Sequence, residues 1–332
     1  MYKRQLVLYA SHALWFLMGA VWLAVACLFT DSRRVRPAVA RLSALVPVGI
    51  VAALWYPSLV AARSPATANV GPQWFALPHE RLWPPYLASS VFKGVEGTLE
   101  PIFLACVLAW AAVALYTNRG ALRAGIDVRL LACAALFMTP VLYAPELYLN
   151  TIFFSLRWLP CAAILVILAL PAPRLDRRLV LLGAFALVVG FSGMTARVWS
   201  MFERTEMTGL NAALEALPEH QRVLGLDFVK KSPLLRGRPF LQTFAYAQAM
   251  KGASLNFSWA EHASGIVSYR ERPPRRWTPG LEWVAERVRE DDLRWFDYVL
   301  VNAAPEFHAT IPAKALRPVT TDGRWRLYQV SR

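Results

Sequence analysis

Long apolar runs split by short polar stretches occupy residues 6–201, whereas from about residue 202 apolar and polar positions alternate on the shorter periods of a water-soluble domain. A membrane-crossing helix needs ~20 mostly apolar residues, with a working range of ~17–25. Leu6–Phe29 and Leu42–Ala62 meet this, the second containing Pro47 and Pro57. Leu99–Tyr116 meets it with Glu100 at its outer end, and Leu130–Leu149 with Pro140 and Pro145 inside it. Ile152–Leu170 carries Arg157 near one end, and Leu179–Met201 carries Arg197 towards its exit. The pattern predicts an α-helical polytopic membrane bundle of about six spans over residues 1–201, with a long loop at 63–98, followed by a small extracytoplasmic α/β domain over 202–332.

In the second part, Thr208 is placed to cap a helix whose Leu210, Leu214 and Leu217 share a face, with Pro218 ending it. Val223–Leu226 reads as a short buried strand and Pro239–Lys251 as a helix stopped by Gly252. Thr278–Pro279 reads as a cap with proline at the first helical position, opening a helix that buries Leu281, Val284 and Val288. Tyr298–Val301 is a continuous apolar run, the mark of a strand covered on both faces. Arg324–Val330 alternates, with Trp325 and Leu327 on one side, and predicts an edge strand.

Composition agrees with the pattern: 56% of the 332 residues are hydrophobic and 17% charged, against ~45–50% and ~25% for soluble domains. Disorder is excluded by that apolar content. The net charge of +14 divides into 16 Lys+Arg against 7 Asp+Glu in residues 1–196 and 20 against 15 beyond. Ten of the basic residues fall in loops 30–41, 117–129 and 171–178. Arginine-rich short loops stay on the cytoplasmic side, so the basic excess reports topology, and nucleic acid is not an expected partner. The 63–98 loop, the 146–157 turn and the C-terminal domain are then predicted outside, in the arrangement of a bacterial inner-membrane protein. The start of the chain would also lie outside, which conflicts with Lys3 and Arg4; either a chain lacking an odd number of preceding spans or a complete protein with one weakly misplaced basic pair accounts for this. All four cysteines (Cys27, Cys106, Cys133, Cys161) lie in apolar runs and read as small buried hydrophobes, with no disulfide framework.

No dinucleotide fingerprint, P-loop, zinc-protease or nucleophile-elbow motif is present, and the five histidines are too dispersed for a metal site. No motif supports a cofactor or a metal. Charges near membrane depth carry more information, because each costs several kcal/mol unless paired or hydrated. Glu100, Glu146 and Arg157 stand at the outer boundary. An arginine there offers a two-pronged donor to a lipid phosphate. The plainer alternatives are that all three reach the interface, or that Arg157 pairs with Glu146. The 63–98 loop adds Trp74, Phe75, His79, Glu80, Arg81, Trp83 and Tyr86, a mixture suited to a sugar-and-phosphate ligand and equally to an interfacial helix. Arg270, Arg272, Arg275 and Arg276 could touch phosphate headgroups but read more simply as a solvated loop, and Asp291 and Asp292 as surface residues.

The spans followed by an external α/β domain with Phe296-Asp-Tyr-Val-Leu-Val301 and a closing Trp325-Arg-Leu-Tyr-Gln-Val330 resemble the C-terminal portion of GT-C-fold membrane glycosyltransferases. The likeness is to the protein-mannosyltransferase-like group that uses polyprenyl-phosphate sugars, and the Arg157-Trp-Leu-Pro segment is similar to an Arg-plus-aromatic segment found there. The resemblance implies transfer of a sugar from a polyprenyl-phosphate donor to an acceptor on the outer face, with Arg157 as phosphate contact and His79, Glu80 and Arg81 lining the cavity. That family carries its catalytic acid in the first large external loop. Here the first loop holds only Asp31 and is predicted cytoplasmic, so no catalytic residue is assigned. Two other classes fit the same pattern: a non-catalytic envelope protein whose outer domain binds a partner, and a transporter or flippase, which lacks the internal symmetry expected of it.

Overall fold

The structure is a computed structural model that describes residues 13–28, 39–40, 42–61, 71–92, 94–148, 151–258, 276–310 and 315–331. It divides into two compact units, one of Met1–Lys93 with Glu100–Val188, the other of Gly94–Leu99 with Val189–Arg332.

The first unit is helical. Its main elements are α1 (Ala13–Leu28), α2 (Val46–Ala61), α3 (Pro78–Arg81), α4 (Pro84–Val91), α5 (Leu99–Thr117), α6 (Val128–Tyr143) and α7 (Leu159–Ala169). A hairpin of β1 (Leu147–Tyr148) and β2 (Thr151–Ile152) joins α6 to the turn before α7. Asp127 caps α6, its carboxylate accepting from the Arg129 N–H at 2.9 Å and the Leu130 N–H at 3.4 Å. Ala144 is extended ahead of Pro145, as a residue before proline prefers, and ends the helix. Cys133, Phe137 and Val141 of α6 pack on Trp158, Leu159 and Ala162; the Phe137 and Trp158 rings lie 5.7 Å apart.

The prediction of about six spans does not hold. Among the described residues, two helices are long and apolar enough to cross a membrane: α5, and α8 (Arg177–Glu206). The described helices in the first and second predicted spans have 16 residues each, α6 has 16 and α7 has 11. At 1.5 Å per residue the 16 residues of α6 reach ~24 Å, short of the ~30 Å hydrocarbon core, and α7 is shorter still. In the fourth and fifth spans the apolar run continues, but Pro145 turns the chain into a hairpin and splits it. Among the described residues only 11% of the apolar stretch of α5 and 0% of that of α8 is buried, unlike the mostly buried core helix of a soluble domain.

Among the described residues, the second unit is built on a mixed sheet of five strands in the order β4-β3-β5-β7-β6: β3 (Arg222–Asp227), β4 (Ser254–Leu255), β5 (Tyr298–Asn302), β6 (Leu316–Pro318) and β7 (Trp325–Val330). The β3 strand runs parallel to β4 and β5, and β7 antiparallel to β5 and β6. Both faces are covered: Val223, Leu300, Trp325 and Leu327 pack with Leu214, Phe240 and Phe244 on one side. Leu224, Leu226, Val299 and Val301 pack with Leu281 and Phe296 on the other. This double burial accounts for the unbroken apolar runs of β3 and β5.

Several local expectations change. β7 lies between β5 and β6, so the edge strand is β6. Thr208 does not cap α9 (Leu210–Ala216); Gly209 is the N-cap, and the Thr208 hydroxyl instead accepts from the Arg324 N–H at 3.2 Å. The predicted helix 239–251 shrinks to α10 (Tyr246–Lys251) after a short 3-10 turn, with Gly252 in the left-handed conformation as its stop. Residues 279–288 form turns around a 3-10 segment, Ala285–Arg287, and still bury Leu281. Asp292 is buried, accepting from the Thr278 and Arg289 N–H groups at 2.7 and 2.8 Å. Arg270, Arg272 and Arg275 lie outside the described residues, as do Lys3, Arg4 and Asp31.

Candidate functional site

In the first unit the loop after residue 71 is ordered by its prolines. Pro78 opens α3 and Pro84–Pro85 open α4, where a missing N–H costs no hydrogen bond. Glu80 reaches back to the Leu77 N–H at 2.6 Å and closes the first turn of α3. That turn drives Arg81 inward until it is fully buried.

The guanidinium of Arg81 is surrounded by acceptors. Its Nε donates to the Ala76 carbonyl at 3.0 Å, and Nη1 lies 2.8, 3.1 and 2.7 Å from the carbonyls of Val141, Leu142 and Ala144. The last three are carbonyls left without partners where α6 ends, a position that favours a cation. Nη2 pairs with Glu146 Oε2 at 2.7 Å. The same oxygen accepts from the Phe75 N–H at 2.8 Å, and the Tyr86 hydroxyl donates to Oε1 at 3.3 Å. Burial, with the Glu146 charge second, pushes the Tyr86 phenol up to about 12. The indole of Trp74 donates to the Tyr143 carbonyl at 3.0 Å, and Gln73 pairs with Leu147 of the hairpin.

The predicted site residues therefore separate into two groups. Arg81 and Glu146 form one node with Tyr86, and Arg81, in place of Arg157, is the partner of Glu146. Glu100 is buried in the first turn of α5. His79, Glu80 and Arg157 are exposed. Arg157 sits on the 3-10 turn Ser155–Trp158 that leads into α7, flanked by buried Leu156 and Trp158. Its guanidinium makes no hydrogen bond or ion pair to any described residue, and Ile164, Ile167 and Leu168 of α7 are exposed.

The second unit has a cluster that sequence reading missed. Asp227 ends β3 and Asn302 ends β5, opposite each other in the parallel register. Asn302 Nδ2 donates to Asp227 Oδ1 at 2.9 Å, which also accepts from the Val229 N–H at 3.1 Å. Burial pushes the Asp227 carboxyl up to about 6, against the pull of those hydrogen bonds and of Lys230 and Arg324. Nearby, Arg324 holds the buried Glu206 at 3.2 Å, and Glu206 accepts from the Ser232 hydroxyl at 2.7 Å. The available signal was positional: polar residues at the carboxyl ends of two adjacent parallel strands mark the crevice where open α/β sheets take ligands. His308 is buried between the Tyr328 hydroxyl and the Arg324 carbonyl, both at 2.9 Å, and burial holds its pKa below the usual histidine value.

Comparison with protein-family models, with curated proteins and with solved structures gives no match. The chemistry therefore rests on the geometry alone. No group of three or more His, Cys, Asp or Glu side chains among the described residues is arranged to hold a metal ion. Arg81 and Glu146 have their hydrogen-bonding capacity directed at each other, at backbone and, for Glu146, at Tyr86, which suits a wall. Arg157, exposed beside apolar surface, has its donors available to an external anion.

Proposed function

We propose that this chain is part of a membrane glycosyltransferase that moves a sugar from a polyprenyl-phosphate donor to an acceptor on the outer face of a bacterial inner membrane. The observation that carries the reading is Arg157: an exposed guanidinium without a partner among the described residues, at the mouth of an apolar helix whose outer surface is also exposed. A lipid phosphate matches both halves of that surroundings, its charge meeting the guanidinium and its isoprenoid chain the apolar side chains. The Arg81–Glu146–Tyr86 node acts as support, holding the loop that carries His79 and Glu80 against the end of α6.

Topology supports the outer placement. The Arg-rich loops following α5 and preceding α8 are joined: Asn118 Nδ2 donates to the Ala172 carbonyl at 2.9 Å, and the Arg174 N–H to the Thr117 hydroxyl at 3.0 Å. Both loops thus lie at one end of the spans, and the positive-inside rule assigns that end to the cytoplasm. No carboxylate is assigned as base, since Glu146 is ion-paired, Glu100 is buried and Glu80 closes its own turn.

The test is binding of a polyprenyl monophosphate to the full chain in detergent, with Arg157→Ala and Arg157→Lys compared against the unaltered protein. Loss of a charge-assisted pair is expected to weaken binding about tenfold or more in Arg157→Ala, with partial recovery in Arg157→Lys. Equal binding by all three proteins would overturn the assignment, and because Arg157 is exposed the substitutions leave the fold intact.

A further inference from the structure

A cleft of ≈ 570 Å³ lies within the second unit, where α8 meets the segment Val95–Leu99 and the loop Pro233–Leu234. Its walls are apolar, chiefly Met194, Val198, Met201, Val95, Leu99 and Leu234. Two charged residues border it. Glu96 lies 3.9 Å from Arg236, so its charge is already countered. Arg197 is exposed and makes no hydrogen bond or ion pair to any described residue. The cleft therefore combines an apolar trough with one cation whose charge no described residue balances.

The position of Arg197 along α8 identifies what meets it. The 18 residues Leu179–Ala196 carry no charge and are bounded by Arg177 and Arg178 at one end and Arg197 at the other. Eighteen helical residues rise ~27 Å, close to the ~30 Å hydrocarbon thickness. With that stretch in the bilayer, Arg197 stands at the depth of the lipid phosphates, and the trough beside it opens where acyl chains begin. A zwitterionic headgroup would bring a second cation beside Arg197; an anionic one leaves the phosphate charge for it alone.

We propose that this cleft binds one anionic phospholipid, with the phosphate on Arg197 and an acyl chain lying along Met194, Val198 and Met201 against Val95 and Leu234. The proposal rests on the membrane placement of α8 and not on the transfer reaction or on Arg157. The lipid ties the emerging end of the span to the 94–99 segment, which is fastened to the α/β domain by the Glu96 N–H donating to the Leu234 carbonyl at 2.9 Å.

Two substitutions separate head from tail. Arg197→Gln removes the charge at an exposed position. Gly193→Phe fills the trough, and a side chain has room to leave the backbone there, since a Cβ at Gly193 meets nothing within 4 Å. The full chain in neutral detergent is titrated with phosphatidylglycerol and with phosphatidylcholine, and bound lipids are counted by native mass spectrometry. The unaltered protein is expected to hold one phosphatidylglycerol about tenfold more tightly than phosphatidylcholine. Arg197→Gln should erase the preference, and Gly193→Phe should weaken both lipids. Equal affinity for the two lipids in the unaltered protein, or a preference that survives Arg197→Gln, overturns the proposal. So does displacement of the lipid by inorganic phosphate at matching concentration, which would mark a simple anion site. Failure of the Arg157 assignment leaves every one of these outcomes unaffected.

Discussion

Arg81 and Arg157 both stand beside apolar segments, yet the fold gives them opposite surroundings. Five acceptors enclose the first, whereas the second meets none among the described residues. Sequence could mark both as costly near a bilayer, because arginine is rarely tolerated there without a partner. It could not choose the partner of Glu146, because that depends on α6 ending at Pro145 and leaving three carbonyls that draw in a cation from residue 81. Removing one member of such a buried pair costs ~3–5 kcal/mol, since the other stays buried and uncompensated. Asp227 gives a residue-scale prediction with a definite sign. Its carboxyl is pushed from 3.8 up to about 6 in the folded state, so the fold binds the proton more tightly than the unfolded chain does. Stability contributed by the protonated form is present at low pH and is lost as pH rises between those two values. The loss should be roughly 2–3 kcal/mol in all. Amide exchange in β3 and β5 of the full chain should therefore quicken from about pH 4 to about pH 6, after correction for intrinsic exchange. Asp227→Asn, which keeps the acceptor for Asn302, should remove that slope; an unchanged slope in the variant would show that other groups produce it.

At the scale of elements, what was legible followed from burial on two faces. The cores of β3, β5 and β7 were readable as apolar or alternating runs, and Gly252 was readable as a helix stop. The order of β7 and β6 was not, because β6 is a three-residue strand, Leu316–Pro318, containing a proline, too short and irregular to register as a pattern. Helix 239–251 was overread because apolar residues at helical spacing also suit the turns that seat Phe240 and Phe244 in the core. Gly225 explains why Phe244 fits there. A Cβ on Gly225 would lie 2.1–2.6 Å from three atoms of the Phe244 ring. The strand therefore needs glycine for close approach, while the Gly225 N–H and carbonyl are held by the Asn256 amide at 2.8 and 3.3 Å. Gly225→Ala is expected to destabilise the α/β domain by ~1–3 kcal/mol. Phe244→Leu in the same chain should recover part of that loss, giving a coupling of ~0.5 kcal/mol or more in a double-mutant cycle. Strict additivity in thermal or urea unfolding would mean that the ring is not what Gly225 makes room for.

For the whole molecule, hydrophobicity and membrane crossing are separate properties. Residues 6–201 hold enough apolar sequence for about six spans, but among the described residues two helices, α5 and α8, reach the needed length with their surfaces exposed. Pro145 and the β1–β2 hairpin interrupt the fourth and fifth predicted spans in a way window hydropathy cannot see, because a sliding average registers composition and not where the helix ends. The proposed topology takes α5 and α8 as the spans and uses the Arg-rich loops joined between them. On the proposed reading, in which both helices cross, the end of α5 and the start of α8 share the side holding Arg119, Arg123, Arg129, Arg174, Arg177 and Arg178, and the end of α8 would emerge with the α/β domain on the other. A phosphatase that is active only after export, fused behind Arg332 of the full chain, is expected to be active; the same reporter inserted after Gly125 should be inactive. The reverse result would turn the molecule over in the membrane. It would place Arg157 and the sheet on the cytoplasmic side, and remove the outer-face transfer reaction while leaving the lipid cleft at Arg197 in the opposite leaflet.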